Sequence, residues 1–262
     1  MCPAHAQLPE WFALAEYESE VAEAALDEFV AEGIVTEILH VIKRGKEAGA
    51  YLCRVDTSLG AEFAVAKVYH ERSRRNFAKD GAYHEGRVIL NGQVRRAIAA
   101  RTEVGLQAQG AMWVDHEFQT LSDLHYAGAD VPEPFYSTER AILMEYVGGE
   151  LGPAPQLQQA QLERDEAVAL FERLLWNVEL FLSYNLVHAD LSPFNVLYGE
   201  GRAVVIDFPQ AVDPRFNRHA RALLERDVAN LGRYFAKYGV HFDAERHAAQ
   251  LWEWWRYGAG SR

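Results

Sequence analysis

His188, Asp190 and Asn195 lie close together in Val187-His188-Ala189-Asp190-Leu191-Ser192-Pro193-Phe194-Asn195, and Asp207 follows twelve residues later at the end of the apolar run Ala203–Ile206. A loop, a short strand, a turn and a second strand over this stretch would deliver two carboxylates and one amide oxygen to one place. That donor set suits a general base beside a Mg²⁺ ion. His188 reads as a packed residue that braces the loop. Lys67 stands in the apolar run Ala64-Val65-Ala66-Lys67-Val68-Tyr69, where a buried ammonium is costly without an anionic partner. The alternative for Lys67 is an edge position turned to water. Glu117 shares a helical stripe with Val114, Leu121 and Leu124, which makes it the candidate partner of Lys67 unless it sits at the stripe's exposed edge.

The spacing H-x-D-L-x-x-x-N with a later Asp, together with the strand-borne lysine, resembles the catalytic and metal loops of protein-kinase-like enzymes. The resemblance implies that Asp190 orients or deprotonates an attacking hydroxyl or water. It implies that Asn195 and Asp207 hold Mg²⁺ or Mn²⁺, and that Lys67 contacts nucleotide phosphate while paired with Glu117. Gly45, Lys46, Glu47 and Ala48 form a loop between two predicted strands whose N–H groups can fold over a triphosphate. The loop lacks the full G-x-G-x-x-G, and a plain hairpin fits it equally. Met144–Gly149 reads either as a simple linker or as the link where an adenine edge meets the backbone of Glu145 and Val147.

The elements that must position these groups follow from periodicity. Residues 11–32 read as an amphipathic helix stopped at Gly33. Ile34–Lys43, Ala50–Asp56 and Glu62–His70 read as strands, with a turn at Thr57–Gly60. A helix is predicted over Ala111–Tyr126, then short strands at Phe135–Ser137 and Ala141–Val147. Leu162–Asn185 reads as a long helix with Val168, Phe171, Leu175, Val178 and Leu182 on its core face, and a further helix begins at Arg226. The expected class is α+β: a bilobed protein-kinase-like fold with a small N-lobe of antiparallel sheet plus one helix and a mainly helical C-lobe. The expected division is an extension over 1–33, an N-lobe over 34–147 with a basic flexible insert at 71–110, and a C-lobe over 148–262.

Composition narrows the classes. The 262 residues carry 49% hydrophobic and 24% charged side chains and a net charge of −12, which argues against a surface that coats nucleic acid. Glu71–Arg101 is the exception, with Arg72, Arg74, Arg75, Lys79, Arg87, Arg95, Arg96 and Arg101. That segment reads either as a solvated loop or as a basic flap for phosphate, of the nucleotide or of an RNA partner. Cys2 and Cys53 support neither a disulfide framework nor a metal cluster, and no apolar run reaches membrane-spanning length. A cytoplasmic protein without a membrane partner is expected.

Taken together, the chain resembles the RIO family of atypical protein kinases and ATPases over Leu26–Phe235. The resemblance rests on Arg44-Gly45-Lys46-Glu47-Ala48, the Lys67 strand, and the basic insert. It rests also on His188-Ala189-Asp190-Leu191-Ser192-x-x-Asn195 with serine where other kinases have lysine, on Ile206-Asp207-x-x-Gln210, and on Arg226-Asp227-x-x-Asn230. The Gly-Lys-Glu-Ala loop and the short Met1–Glu32 segment point to the branch without an N-terminal winged helix. Gly49-Ala50 departs from the pattern, as does the pI of about 5.3. Pro209 stands where protein kinases have the glycine of D-F-G, and with 55 residues after Asp207 no activation loop or peptide-binding subdomain is expected. The resemblance implies ATP and Mg²⁺, phosphorylation of Ser/Thr on an unknown protein or on the chain itself, or ATP hydrolysis with transient phosphorylation of Asp207. It also implies a ribosomal association for archaeal and eukaryotic members. The alternative is a small-molecule phosphotransferase of the aminoglycoside or choline kinase type.

Overall fold

The computed structural model describes residues 22–45, 47–70, 96, 100, 102–149 and 152–259. Five antiparallel strands form the first lobe: β1 (Val35–Arg44), β2 (Ala48–Val55), β3 (Phe63–Tyr69), β4 (Pro134–Ser137) and β5 (Ala141–Glu145), in the order β1-β2-β3-β5-β4. Period-two alternation in β3 decides which residue faces where. Ala64, Ala66 and Val68 are buried on the outer face against a helix over residues 22–31, α1, whose Ala22, Ala25, Leu26 and Phe29 form that cluster with them. Lys67 and Tyr69 therefore point to the inner face. A slip of one residue in the β3–β5 register, which pairs Lys67 with Ile142, would turn the lysine away from the cleft.

The inner face is crossed by α2 (Glu103–Tyr126), which starts eight residues before the expected Ala111. Residues 103–110 are thus helical and do not belong to a flexible insert. Thr102 caps the helix, its Oγ1 accepting the Gly105 N–H at 3.1 Å. Gly105 and Gly110 lie within the first turns and, being poor helix formers, hide that start from a reading of propensity. The rest of 71–101, apart from positions 96 and 100, lies outside the described residues, as does Lys46.

Beyond β5 the chain forms a small ribbon, β6 (Gly148–Gly149) with β7 (Gly152–Pro153), then α3 (Arg164–Ser183). The hairpin of β8 (Val196–Gly199) and β9 (Arg202–Val205) follows, and α4 (Ala220–Ala236) and α5 (Ala244–Trp254) close the lobe. A capping box between Glu163 and Glu166 starts α3. Its buried stripe is Ala167, Leu170, Phe171, Leu174, Asn177, Val178, Phe181 and Leu182, while Val168 is exposed. The stripe differs from the expected one in that Val168 faces out, Leu175 is only half-buried, and Asn177, a polar residue, occupies a core position. Its amide Nδ2 donates to the Asp130 carboxylate at 2.7 Å and its Oδ1 accepts the Asp130 N–H at 2.8 Å. Arg173 adds a two-pronged contact to the same carboxylate at 2.6 and 2.9 Å, and the Val205 N–H donates to the Asp130 carbonyl at 2.8 Å. One loop after α2 is thereby tied to α3 and β9, fixing the sheet over the helical lobe. No helix among the described residues is long and apolar enough to cross a membrane.

Candidate active site

Three charged groups from distant points of the chain meet below β3. Lys67 Nζ donates to Glu117 at 2.8 and 3.1 Å and to Asp207 Oδ1 at 2.7 Å. Glu117 is 1% exposed, and its Oε1 also accepts the Phe208 N–H at 3.1 Å. Burial pushes Glu117 upward from the ordinary carboxylate range against the pull of the Lys67 charge. Burial alone would lower Lys67, but the Asp207 and Glu117 charges outweigh it and hold the ammonium above its usual value. Asp207 moves the other way: burial works to raise it, and Lys67 beside it prevails and lowers it. The triad is a cation shared by a buried anion and a half-open one.

Asp207 adopts φ 75°, a left-handed conformation unusual for an aspartate. The neighbouring Phe208 is fully buried, with its ring 5.5 Å from Phe181 and 4.6 Å from His188. This anchor, together with the Phe208 N–H bond to Glu117, holds the strained turn in place.

The loop carrying Asp190 is held from beneath. Ala189 has φ 67°, and the N–H groups of Ala189 and Leu191 donate to the two oxygens of Asp227 at 2.8 and 2.9 Å. Arg226 donates to the Ala189 carbonyl and Asn230 Nδ2 to the Leu191 carbonyl, the latter at 2.9 Å. Asp227 is 1% exposed, and burial raises it to about 7 against those two N–H bonds. Arg226, Asp227 and Asn230 are part of the sequence pattern, yet their work as the floor of the loop is visible only in three dimensions. His188 braces the same loop: its Nε2 lies 3.2 Å from the Ile206 carbonyl, and its Nδ1 accepts the Asp190 N–H at 3.3 Å. Donation to a carbonyl by one nitrogen and acceptance by the other fit a neutral ring.

Burial lowers His188 to about 4. The unfolded chain takes up a proton near pH 6.5 that the folded chain refuses until about 4, so stability present above 6.5 is lost as pH falls through that window. The whole span is worth about 3 kcal/mol at 1.4 kcal/mol per pH unit. The urea stability of the unaltered chain minus that of His188→Asn should fall by this amount between pH 7.5 and 4.5, a difference that cancels the opposite contribution of Asp227, whose raised carboxyl gains stability on acidification. An unchanged slope in that variant would place the acid sensitivity elsewhere.

Above this floor, Asn195 Nδ2 donates to the Asp190 carbonyl at 2.9 Å and to its Oδ2 at 3.0 Å. Burial is the main cause raising Asp190, with the Asp207 charge adding to it and Asn195 opposing. Asn195 Oδ1, Asp207 Oδ2 and Asp190 Oδ1 have no hydrogen-bond partner among the described residues. One carboxylate and one amide oxygen left open in this way fit a Mg²⁺ ion completed by phosphate and water oxygens. No cluster of three or more His, Cys, Asp or Glu suited to a metal occurs among the described residues.

The Gly45 turn and the β5 link frame the cleft. Gly45 N–H donates to the Ala48 carbonyl at 3.0 Å, and a Cβ on Gly45 would meet that carbonyl at 2.9 Å, so the turn needs glycine. The Glu47 carbonyl accepts the His70 N–H at 2.9 Å. Burial raises Glu47, and the charge of Asp207 raises it further. Of the link residues, Glu145 places its side chain on Arg202 at 2.5 and 3.2 Å and gives its N–H to the Glu133 carbonyl at 2.8 Å. The Val147 carbonyl accepts the Ala154 N–H at 2.9 Å, while its own N–H has no partner among the described residues.

Lys67, Glu117, Asp190, Asn195 and Asp207 thus converge as a group. A family model described as the RIO domain matches residues 51–248. The RIO-type serine/threonine-protein kinase Rio2 of Methanocaldococcus jannaschii is 31% identical over 223 residues, covering 85% of this chain and 76% of that protein. Human serine/threonine-protein kinase RIO1 is 29% identical over 220 residues, 82% of this chain but 36% of its own length, so the chain spans just over a third of that relative. Among solved structures, Chaetomium thermophilum Rio2 kinase in its ADP/Mg²⁺-phosphoaspartate complex superposes with a TM-score of 0.62 at 20% identity. That match covers 88% of this chain and 66% of that one. The fold is the one expected, an α+β protein-kinase-like fold.

Proposed function

The chain belongs to the RIO family, and from that premise we propose that it is an ATP- and Mg²⁺-dependent serine/threonine kinase or ATPase. The observation that carries this reading is Lys67 bonded at once to Glu117 and Asp207, fifty and 140 residues away in sequence. Such an arrangement gives a cation where phosphate charge must be held and an open carboxylate where a metal must sit. Bound between Asn195 and Asp207, Mg²⁺ would supply neutralisation of phosphate charge; Mn²⁺ would suit the same oxygens.

In this reading Asp190 accepts the proton of an attacking hydroxyl as its oxygen bonds to the γ-phosphorus and the bond to the ADP oxygen breaks. Alternatively the Asp207 carboxylate attacks, ADP leaves, and water later hydrolyses the acyl phosphate, which amounts to ATP hydrolysis. The Rio2 structure just described bears a phosphoaspartate, which supports this second route. Val147 N–H and the Glu145 backbone serve the adenine edge, and the Gly45–Ala48 turn, with Lys46, covers the phosphates. The arginine-rich 71–101 segment supports a phosphate-bearing partner such as RNA, and a cytoplasmic location completes the reading.

Incubation with γ-labelled ATP and Mg²⁺ tests it. Label should appear on the protein or on added protein substrate. Lability to hydroxylamine would assign it to an aspartyl phosphate, and resistance to hydroxylamine would assign it to serine or threonine. Label found on added aminoglycoside, with none on protein, would overturn the proposal in favour of a small-molecule phosphotransferase.

A further inference from the structure

Tyr69 lies two residues beyond Lys67 on β3 and therefore on the same, cleft-facing side of the sheet. Its ring is 2% exposed and packs in the apolar cluster that joins Val114, Leu121 and Leu124 of α2 to Ile142 and Met144 of β5. Lys67 Nζ sits 5.1 Å from the ring centroid, within the range of a cation–π contact. The aromatic face is therefore a third support for the ammonium beside Glu117 and Asp207. Phenylalanine would supply that face and fill that volume.

The hydroxyl is what phenylalanine lacks, and it is anomalous. Tyr69 Oη is the one buried side-chain nitrogen or oxygen without a hydrogen-bond partner among the described residues. A buried hydroxyl left unbonded costs about 1–3 kcal/mol. The ring that carries it faces the shared cation at 5.1 Å, which links the anomaly to the site.

We propose that Tyr69 is a positioning residue whose hydroxyl gains its partner when nucleotide phosphates enter the cleft, as a donor to a phosphate oxygen or to water that the phosphate carries. Phosphates draw Lys67 from its contact with Asp207, and the hydroxyl on the ring that faces this ammonium is a buried donor still uncommitted among the described residues. The inference rests on the nucleotide reading above and adds to it a state-dependent donor outside the groups already assigned.

Tyr69→Phe tests it in the full chain with two ligands, Mg²⁺·ADP and adenosine, by calorimetric titration, alongside the thermal midpoint of the ligand-free protein. The expected result is a midpoint equal to or above that of the unaltered chain, several-fold weaker binding of Mg²⁺·ADP, and unchanged binding of adenosine. A lowered midpoint would show that the hydroxyl is bonded in the empty protein, to an ordered water for example, and would overturn the proposal. Equal Mg²⁺·ADP affinity for chain and variant would overturn it as well, as would equal weakening toward adenosine. Failure of the unaltered chain to bind Mg²⁺·ADP would sink the nucleotide reading itself and this inference with it.

Discussion

Lys67→Met should destabilise the protein by about 3–5 kcal/mol, the usual cost of stripping the partner from a buried charge. The two arms of the lysine contribute unequally. Asp207 is 36% exposed and its pairing is screened by water, so that arm adds little to stability. Glu117 is 1% exposed, and without Lys67 its carboxylate keeps only the Phe208 N–H bond. Methionine has the length and apolarity to fill the lysine's place, so little of the loss comes from a cavity. A second substitution, Glu117→Leu, should recover most of the stability of the Lys67→Met variant because it removes the stranded anion. Turnover of ATP should stay lost in the double variant, since neither phosphate contact nor helix link returns. Urea unfolding of the four members of this cycle measures the coupling. A Lys67→Met variant within 1 kcal/mol of the unaltered chain would mean that Glu117 is neutral in the empty protein and the pair is not ionic.

That pair was legible in the sequence because two costly groups and one resemblance converged on it. Lys67 interrupts a continuous apolar run, Glu117 interrupts a helix stripe between Val114 and Leu121, and the likeness to protein kinases supplies a strand–helix ion pair that joins them. Each group is costly alone, so each points to the other. The Asp190–Asn195–Asp207 set was legible for a different reason: a tight loop and a hairpin confine its members within a short span. The floor beneath it was not. Asp227 lies 36 residues beyond Leu191, and nothing in its local pattern says that its carboxylate caps two N–H groups of a left-handed turn. Asp130 and Asn177 hid in the same way, since the Asn177 amide reads as a break in a helix stripe until its partner is seen. Interactions between a side chain and a distant backbone leave no periodicity, and these were the ones missed. The start of α2 was lost to its two glycines, where tertiary packing overrides propensity.

Asp190→Asn should lower turnover 10²- to 10⁴-fold, the range for loss of a positioned general base, while leaving Mg²⁺·ADP affinity nearly unchanged. Binding survives because Asp190 contacts neither Lys67 nor Glu117 and leaves the metal to the oxygens of Asn195 and Asp207. Asn195 holds one Asp190 oxygen at 3.0 Å, so the other alone is free to take a proton, and an amide cannot. Asp207→Asn provides the contrast: it weakens Mg²⁺-dependent binding as well as turnover, because it removes charge at the metal position. The pH profile separates the two further. Burial first, then the Asp207 charge, raises Asp190, so the unaltered chain should lose turnover on acidification at a higher pH than a solvated aspartate would dictate. That acid limb depends on a group that must be deprotonated to act, and it should vanish from the residual rate of Asp190→Asn. Persistence of the limb in that variant, or wild-type turnover, would move the base to another residue, with Glu47, a raised carboxylate that feels the charges of Asp207 and Asp190, the next to examine.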